Sequence, residues 1–213
     1  MNSKQIGKWF IFGGLLLIAA ALCLVTCNIN EQTQAAQSSI NALQQIESAK
    51  NENKTTDPDL KPGITVDEPE IPAYLRDPYM QMPELEIDGE MYIGVISIPA
   101  LKLQLPVISE WSYPRLKISP CRFQGTPYLD DFIVLAHNYQ SHFGTLVNLQ
   151  LGDDVYFEDM DGNVFHYAVV EMETLDSTAI EDMVAGDWDL TLFTCTVGGK
   201  SRVTVRCEQT NAE

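Results

Sequence analysis

Val155-Tyr156-Phe157-Glu158-Asp159-Met160-Asp161-Gly162-Asn163-Val164-Phe165-His166-Tyr167-Ala168-Val169-Val170 reads as a β-hairpin. Two runs rich in β-branched and aromatic residues flank Asp161-Gly162, a dipeptide that favours a tight reversal between antiparallel strands. Working outward, similar short runs recur at 92–98, 101–107, 132–136, 190–194 and 203–207, each bounded by turn residues. Closely spaced strands with few helical segments predict an all-β domain, a barrel or a sandwich, from about residue 73 onward. Short helices are expected at 143–149 and 179–184.

Before this domain the texture changes twice. The segment 53–72 gathers Thr, Asp, Pro and Gly without periodicity and reads as a flexible spacer. Residues 28–54 are polar and rich in Gln and Ala, with apolar Ile40, Leu43 and Ile46. Spacings of three predict a short amphipathic helix serving as a stalk.

At the N-terminus, residues 9–27 form a 19-residue stretch without a charge. As a helix it would reach about 28 Å, close to the hydrocarbon thickness of a bilayer. Lys4 and Lys8 are the only charges before Glu31, so the rest of the chain is more acidic than the net charge of −17. Basic residues ahead of the span place the N-terminus in the cytoplasm and the bulk of the chain outside. No small-x-small cleavage site follows the apolar run. Leu24-Val25-Thr26-Cys27 resembles a lipoprotein box, with Thr26 where Gly, Ala or Ser is preferred. The expected organisation is therefore a cytoplasmic tail (1–8), a retained membrane anchor (9–27), a stalk and linker (28–72) and an extracellular β-domain (73–213). The acidic balance excludes a nucleic-acid binder, which needs a basic face to neutralise phosphate.

Cysteine usage points to the chemistry. Cys23 and Cys27 fall in the apolar segment, leaving Cys121, Cys195 and Cys207 outside. An odd number of external cysteines leaves at least one unpaired thiol, and a free thiol there is an oxidation liability unless it has a job. Cys121 and Cys207 are either buried thiols or a disulfide pair. Zinc fits poorly, since no Cys-x-x-Cys or His-x-x-x-His pair occurs. The acidic groups Asp153-Asp154 and Glu158-Asp159-x-Asp161 lack the spacing of a calcium loop and read as solvated turns. No Gly-x-Ser-x-Gly elbow supports a serine hydrolase.

Cys195 ends an apolar strand, Thr191-Leu192-Phe193-Thr194-Cys195, and opens into a Gly198-Gly199 loop. His137 holds the equivalent place after Phe132-Ile133-Val134-Leu135-Ala136, and the following strand returns Arg202 and Arg206 towards Cys195. A strand end is where a side chain is rigidly held yet reachable. A thiolate, an imidazolium and a guanidinium converging there make a cysteine acyl-transfer site, the positive groups favouring the thiolate and a developing oxyanion. His142 and His166 read as a loop and a strand histidine.

These residues resemble the sortases, the cysteine transpeptidases that anchor proteins to the Gram-positive cell surface. Thr191-Leu192-Phe193-Thr194-Cys195 matches their Thr-Leu-x-Thr-Cys signature, with Arg202 seven residues on. Val134-Leu135-Ala136-His137-Asn138 matches the histidine element. Gly94-Val95-Ile96-Ser97-Ile98-Pro99, Leu103-Gln104-Leu105-Pro106-Val107 and Phe123-Gln124-Gly125-Thr126 resemble earlier elements in the same order. The likeness spans about 91–207 and includes the N-terminal anchor.

The resemblance implies an eight-stranded barrel and a two-step mechanism; from the residues themselves no cofactor and no metal is expected. Cys195 would attack a sorting signal of the Leu-Pro-x-Thr-Gly kind on a surface protein or pilin, giving a thioacyl-enzyme. An amine of peptidoglycan, of its lipid-linked precursor or of a pilin lysine would resolve it. His137 would be the general acid and base, and Arg202 would hold the substrate and the oxyanion. Arg206, which lies an even number of residues away, competes for that role, and Thr194 borders the site. Asp77-Pro78-Tyr79 resembles the Asp-Pro-aromatic lid of pilin-polymerising sortases, with Asp77 and Tyr79 over the active site; Asp-Pro is also a common turn pair. Two other readings use the same features: a membrane-tethered, non-catalytic β-domain (an adhesin or binding lipoprotein), and a cysteine peptidase that only hydrolyses.

Overall fold

A computed structural model describes residues 3–55 and 71–210. Nine strands form one sheet: β1 (Leu85–Ile87), β2 (Glu90–Ile98), β3 (Leu103–Ile108), β4 (Cys121–Gln124), β5 (Phe132–Ala136), β6 (Asp154–Asp159), β7 (Val164–Asp176), β8 (Leu190–Cys195) and β9 (Ser201–Gln209). Their order is β1-β2-β3-β4-β5-β8-β9-β7-β6, and a further β2–β6 pairing closes β2 to β9 into an eight-stranded barrel with β1 as an added edge. Closure leaves the eight strands without open edges, which are the aggregation liability of flat sheets. Among the described residues four α-helices accompany it, α1 (Ser3–Thr55), α2 (Ala73–Arg76), α3 (Tyr113–Leu116) and α4 (Ile180–Val184), with two 3-10 helices at Pro99–Leu101 and Phe143–Asn148. The spacer expected over 53–72 falls mostly outside the described residues.

The hairpin expected around Asp161-Gly162 is present as β6–β7, with Glu158 opposite Val164. Its strand β7 runs on to Asp176, well past the expected end at 170, because its later half pairs with β9 from Glu171↔Arg206 to Asp176↔Ser201. Asp159 is buried rather than solvated. Its carboxylate accepts from the Tyr128 hydroxyl at 2.7 Å, the Asn163 backbone N–H at 2.9 Å and the Asn163 amide at 2.8 Å, so it caps the turn from inside. The four-residue β4 escaped the strand pattern because Arg122 interrupts its apolar run.

Two apolar clusters divide the barrel wall by side-chain parity. Phe132, Val134, Ala136, Leu190, Leu192, Val205 and Cys207 point into the interior cluster. Ile133, Leu135 and Phe193 point outward into a second cluster. Successive strand residues face opposite sides, so a strand covered on both faces reads as a continuous apolar run. That is why 132–136 is uniformly apolar.

The outer cluster is covered by α1, which departs from the expected short stalk. α1 is one continuous 53-residue helix. Its segment beyond the apolar stretch packs against the barrel through Ala35, Ser39, Ala42 and Ile46, all buried. Steps of four, three and four keep those residues on one helical stripe. Leu43 is half-buried and Ile40 is 49% exposed, so the docking face is narrower and made of smaller residues than the apolar spacing suggested. Ser39 Oγ donates to the Ile118 carbonyl at 2.9 Å and lies 3.1 Å from His142 Nε2. Lys50 Nζ reaches Glu158 at 2.8 Å and the Asp159 carbonyl at 3.1 Å. Full burial of Ile46 contributes about 2 kcal/mol.

Candidate active site

Parity also locates the candidate chemistry. On β8, Leu190, Leu192 and Thr194 alternate with Thr191, Phe193 and Cys195, and the latter set faces outward with Phe193. β5 pairs in parallel with β8 up to Ala136↔Thr194, so His137 and Cys195 are the next residues of two adjacent strands. β9 pairs antiparallel with β8 and sets Arg202 directly opposite Cys195. The connection between them needs Gly198 (φ 88°) and Gly199 (φ 72°), consecutive left-handed positions that side chains other than glycine adopt at a cost. The turn is fastened where Thr196 N–H donates to the Ser201 carbonyl at 2.9 Å.

His137, Cys195 and Arg202 line one cleft of about 240 Å³ on the outer wall of the barrel, where β5 and β8 end. Trp111, Phe123, Leu135, Ile180, Met183 and Phe193 supply most of its apolar lining. α3 starts behind Ser112, whose side chain caps Arg115 N–H at 3.3 Å, with Pro114 in the first turn. That Ser-x-Pro pattern is a helix-start signal that would have marked this wall in the sequence. Phe193 meets Phe123 edge-on at 5.5 Å, and Phe123 lies 6.0 Å from Trp111, so an aromatic row floors the cleft. The opposite wall is the α4 loop.

The remaining sequence candidates separate sharply. Arg206 shares the outward face with Arg202 but is 2% exposed and does not line the cleft. Its guanidinium donates to Glu173 (2.8 Å), the Met183 carbonyl (2.7 Å), Thr191 Oγ1 (3.0 Å) and the Asp182 carbonyl (2.7 Å). A second contact to Glu173, from Nη2 at 2.8 Å, engages the fifth N–H, so Arg206 fastens the C-terminal carbonyls of α4 to the barrel and has no donor left for a substrate. Arg202, by contrast, is half-buried and uses only Nη1, on the Gly199 and Ser201 carbonyls at 3.1 Å, among the described residues. Thr194 borders the cleft, but its hydroxyl donates to the Ala136 carbonyl at 2.8 Å, tying the cysteine strand to the histidine strand.

Asp77 and Tyr79 do not cover the cleft. The preceding turn is held by Tyr74, which stacks on Tyr128 at 4.9 Å and tilts against Phe165 at 5.2 Å. Tyr128 precedes Phe132, where β5 begins, so this segment sits at the end of the barrel away from Cys195. Tyr79 is 83% exposed, and Asp77 accepts from its backbone N–H at 3.1 Å in a local turn. The turn reading of Asp-Pro accounts for this segment.

Electrostatics refine the expected ion pair. Burial, reinforced by the Lys117 ammonium, pushes the His137 imidazole below its ordinary value of 6.5, with Glu31 opposing weakly. His137 is thus biased towards the neutral form rather than the imidazolium. His142, which looked like a loop histidine, is fully buried and pushed down to about 4 by burial and then by His137. The rings of His137, Tyr139 and His142 lie in succession, with centroids 5.0 and 5.5 Å apart. Cys121 and Cys207 are free thiols in different clusters, and burial pushes each up to about 12.

A family model described as "Sortase domain" matches residues 96–210. "Sortase A" of Bacillus anthracis is 23% identical over 164 residues, covering 73% of this chain and 70% of that protein. Among solved structures, sortase C1 of Streptococcus agalactiae (with MTSET) aligns with TM-score 0.52 and 24% identity, over 61% of this chain and 72% of its own. Sortase C1 of Streptococcus suis aligns with TM-score 0.50 and 25% identity, over 57% and 74%.

Proposed function

The chain belongs to the sortase family, cysteine transpeptidases that act on surface proteins, and on that footing we propose the chemistry its own residues perform. Cys195 is the nucleophile, His137 the general acid and base, and Arg202 the donor to substrate and oxyanion. The donor substrate is a surface protein or pilin carrying a Leu-Pro-x-Thr-Gly-like signal, and the acceptor is an amine of the wall, its precursor or a pilin. Residues 9–27 anchor the enzyme, with residues 1–8 inside and the barrel outside; among the described residues, one helix is long and apolar enough to cross a membrane. The observation that carries the reading is the register: Cys195 opposite Arg202, with His137 one step past Ala136↔Thr194, all in one cleft.

Each step follows from those positions. Neutral His137 accepts the thiol proton as Cys195 Sγ bonds to the carbonyl carbon of the scissile peptide. The oxyanion that forms faces the Arg202 guanidinium, whose donors are strongest towards full negative charge. His137 then returns its proton to the leaving amine, the C–N bond breaks and a thioester remains on Cys195. The incoming amine loses a proton to His137 as it attacks, and collapse releases a new amide and the thiol. The apolar aromatic floor suits an aliphatic side chain of the signal and keeps water from the thioester.

Product partition tests the reading. The full chain, incubated with a Leu-Pro-x-Thr-Gly peptide and a primary amine, should give the amide adduct as the main product with the Gly fragment released. Acid product alone, at every amine concentration, would make it a peptidase; no cleavage with any related peptide would make it a binding domain.

A further inference from the structure

The contacts of α1 climb the barrel in order, and their order fixes which end of the barrel meets the membrane. Counted along the helix from Cys27, at the end of the apolar stretch, Glu31 lies about 6 Å on, Ser39 about 18 Å, Gln45 about 27 Å and Lys50 about 35 Å. Glu31 pairs with Lys117 at 3.1 Å. Ser39 reaches His142, Ile118 and Ser119. Gln45 donates to Asp88 at 3.3 Å, and Lys50 closes on the β6–β7 hairpin at Glu158. The histidine edge of the cleft therefore docks on the first turns after the apolar stretch, and the hairpin docks on the last.

This docking is built rather than casual. Ser39 is 3% exposed and His142 0%, and their hydrogen bond lies 103 residues apart in sequence. Ala42 and Ile46 belong to the same buried cluster as Ile133, Leu135 and Phe193, the outward residues of the two cleft strands. A helix that runs unbroken from the apolar stretch into this interface has no hinge at which the barrel could turn over.

We propose that α1 makes anchor and barrel one rigid unit whose Lys117–Gln140 edge, beside His137, is apposed to the lipid headgroup layer, with the Asp161 hairpin held outward. The proposal rests on residues 9–27 spanning the membrane. The apposition is imposed by the helix and not by attraction, since a chain of net charge −17 gains nothing from an anionic surface. Its consequence is that the cleft works on substrates presented at the surface of the enzyme's own membrane.

Depth-resolved quenching tests it without reference to activity. The full chain carrying Cys23→Ala, Cys27→Ala and Cys195→Ala, with Gln140→Cys or Asp161→Cys, is labelled with a fluorophore; Cys121 and Cys207 are buried, and the same chain without the added cysteine gives the background label to subtract. It is placed in phosphatidylcholine vesicles whose headgroups bear nitroxide. Quenching at position 140 should exceed that at position 161 at least fivefold, and a Gly-Gly-Ser-Gly insertion after Ile29 should abolish the difference. Equal quenching at both positions, or a difference that survives the insertion, overturns the rigid strut. Failure of the chain to float with vesicles overturns the span and the proposal with it, and leaves the peptide chemistry to be judged by product partition.

Discussion

The rim of the cleft and the layer directly behind it are built from the same residue types. At the rim stand His137 and Arg202; behind them stand His142 and Arg206, five and four residues further along the chain. Arg202 and Arg206 even share one face of β9. The difference lies in what each side chain touches. Arg206 and His142 are buried, and they hold the frame: the Arg206 guanidinium binds α4, and His142 Nε2 meets Ser39 of α1. Arg202 and His137 have one side in the cleft. Burial with partners makes a residue architectural, and partial burial beside Cys195, the proposed nucleophile, leaves it available for chemistry.

Exchanging the two arginines' fates would break this comparison most severely. Arg202→Ala should lower kcat/KM by about 10²–10³-fold, the usual cost of removing one oxyanion donor, with little change in melting temperature. Steady-state rates with a sorting peptide read it. Arg206→Met should do the reverse. Loss of a buried charge that binds two carbonyls and Glu173 costs about 3 kcal/mol, lowering Tm by roughly 10 °C. Calorimetry on both variants would separate the roles; a stable but inactive Arg206→Met would transfer the substrate role to Arg206.

The histidines offer a comparison in pH. His142 has a folded value of about 4 against 6.5 unfolded. As pH falls through 6.5 the unfolded chain gains a proton that the folded chain refuses, so its share of stability is intact above 6.5 and lost towards 4. That share is roughly 3 kcal/mol. In His142→Gln the urea midpoint should fall less steeply across this window, while His137→Gln should leave the slope closer to the parent's and remove turnover.

Much of the barrel and the cleft was legible in the sequence because alternation and strand ends are local signals. The runs at 132–136 and 190–194 announced strands whose last residues point the next side chains to a common place. Register added what sequence spacing could not: Cys195 opposite Arg202 rather than Arg206. The docking of α1 was hidden for a chemical reason. A search for large apolar residues finds Ile40, Leu43 and Ile46, yet close approach of a helix to a sheet selects small ones, Ala35, Ser39 and Ala42. Nor does spacing reveal that Arg206 is consumed, since its partners come from α4, β7 and β8. The turn and lid readings of Asp77-Pro78-Tyr79 stood side by side in the sequence because three residues specify a turn but not which end of the barrel it lies on.

The smallest expected effect concerns that turn. Deleting 77–79 should leave the alkylation rate of Cys195 by iodoacetamide within about twofold of the parent, as expected for a surface segment away from the cleft. A several-fold acceleration would show that the segment reaches the thiol in solution.

Intact-mass analysis of the full chain, quenched in acid seconds after mixing with a Leu-Pro-x-Thr-Gly peptide, tests the central claim most directly. The expected result is a mass increase equal to the acyl fragment through Thr, mapped to Cys195, absent in Cys195→Ala and discharged on adding an amine. An unmodified Cys195 alongside consumed peptide, or an adduct on Cys121 or Cys207, would contradict it.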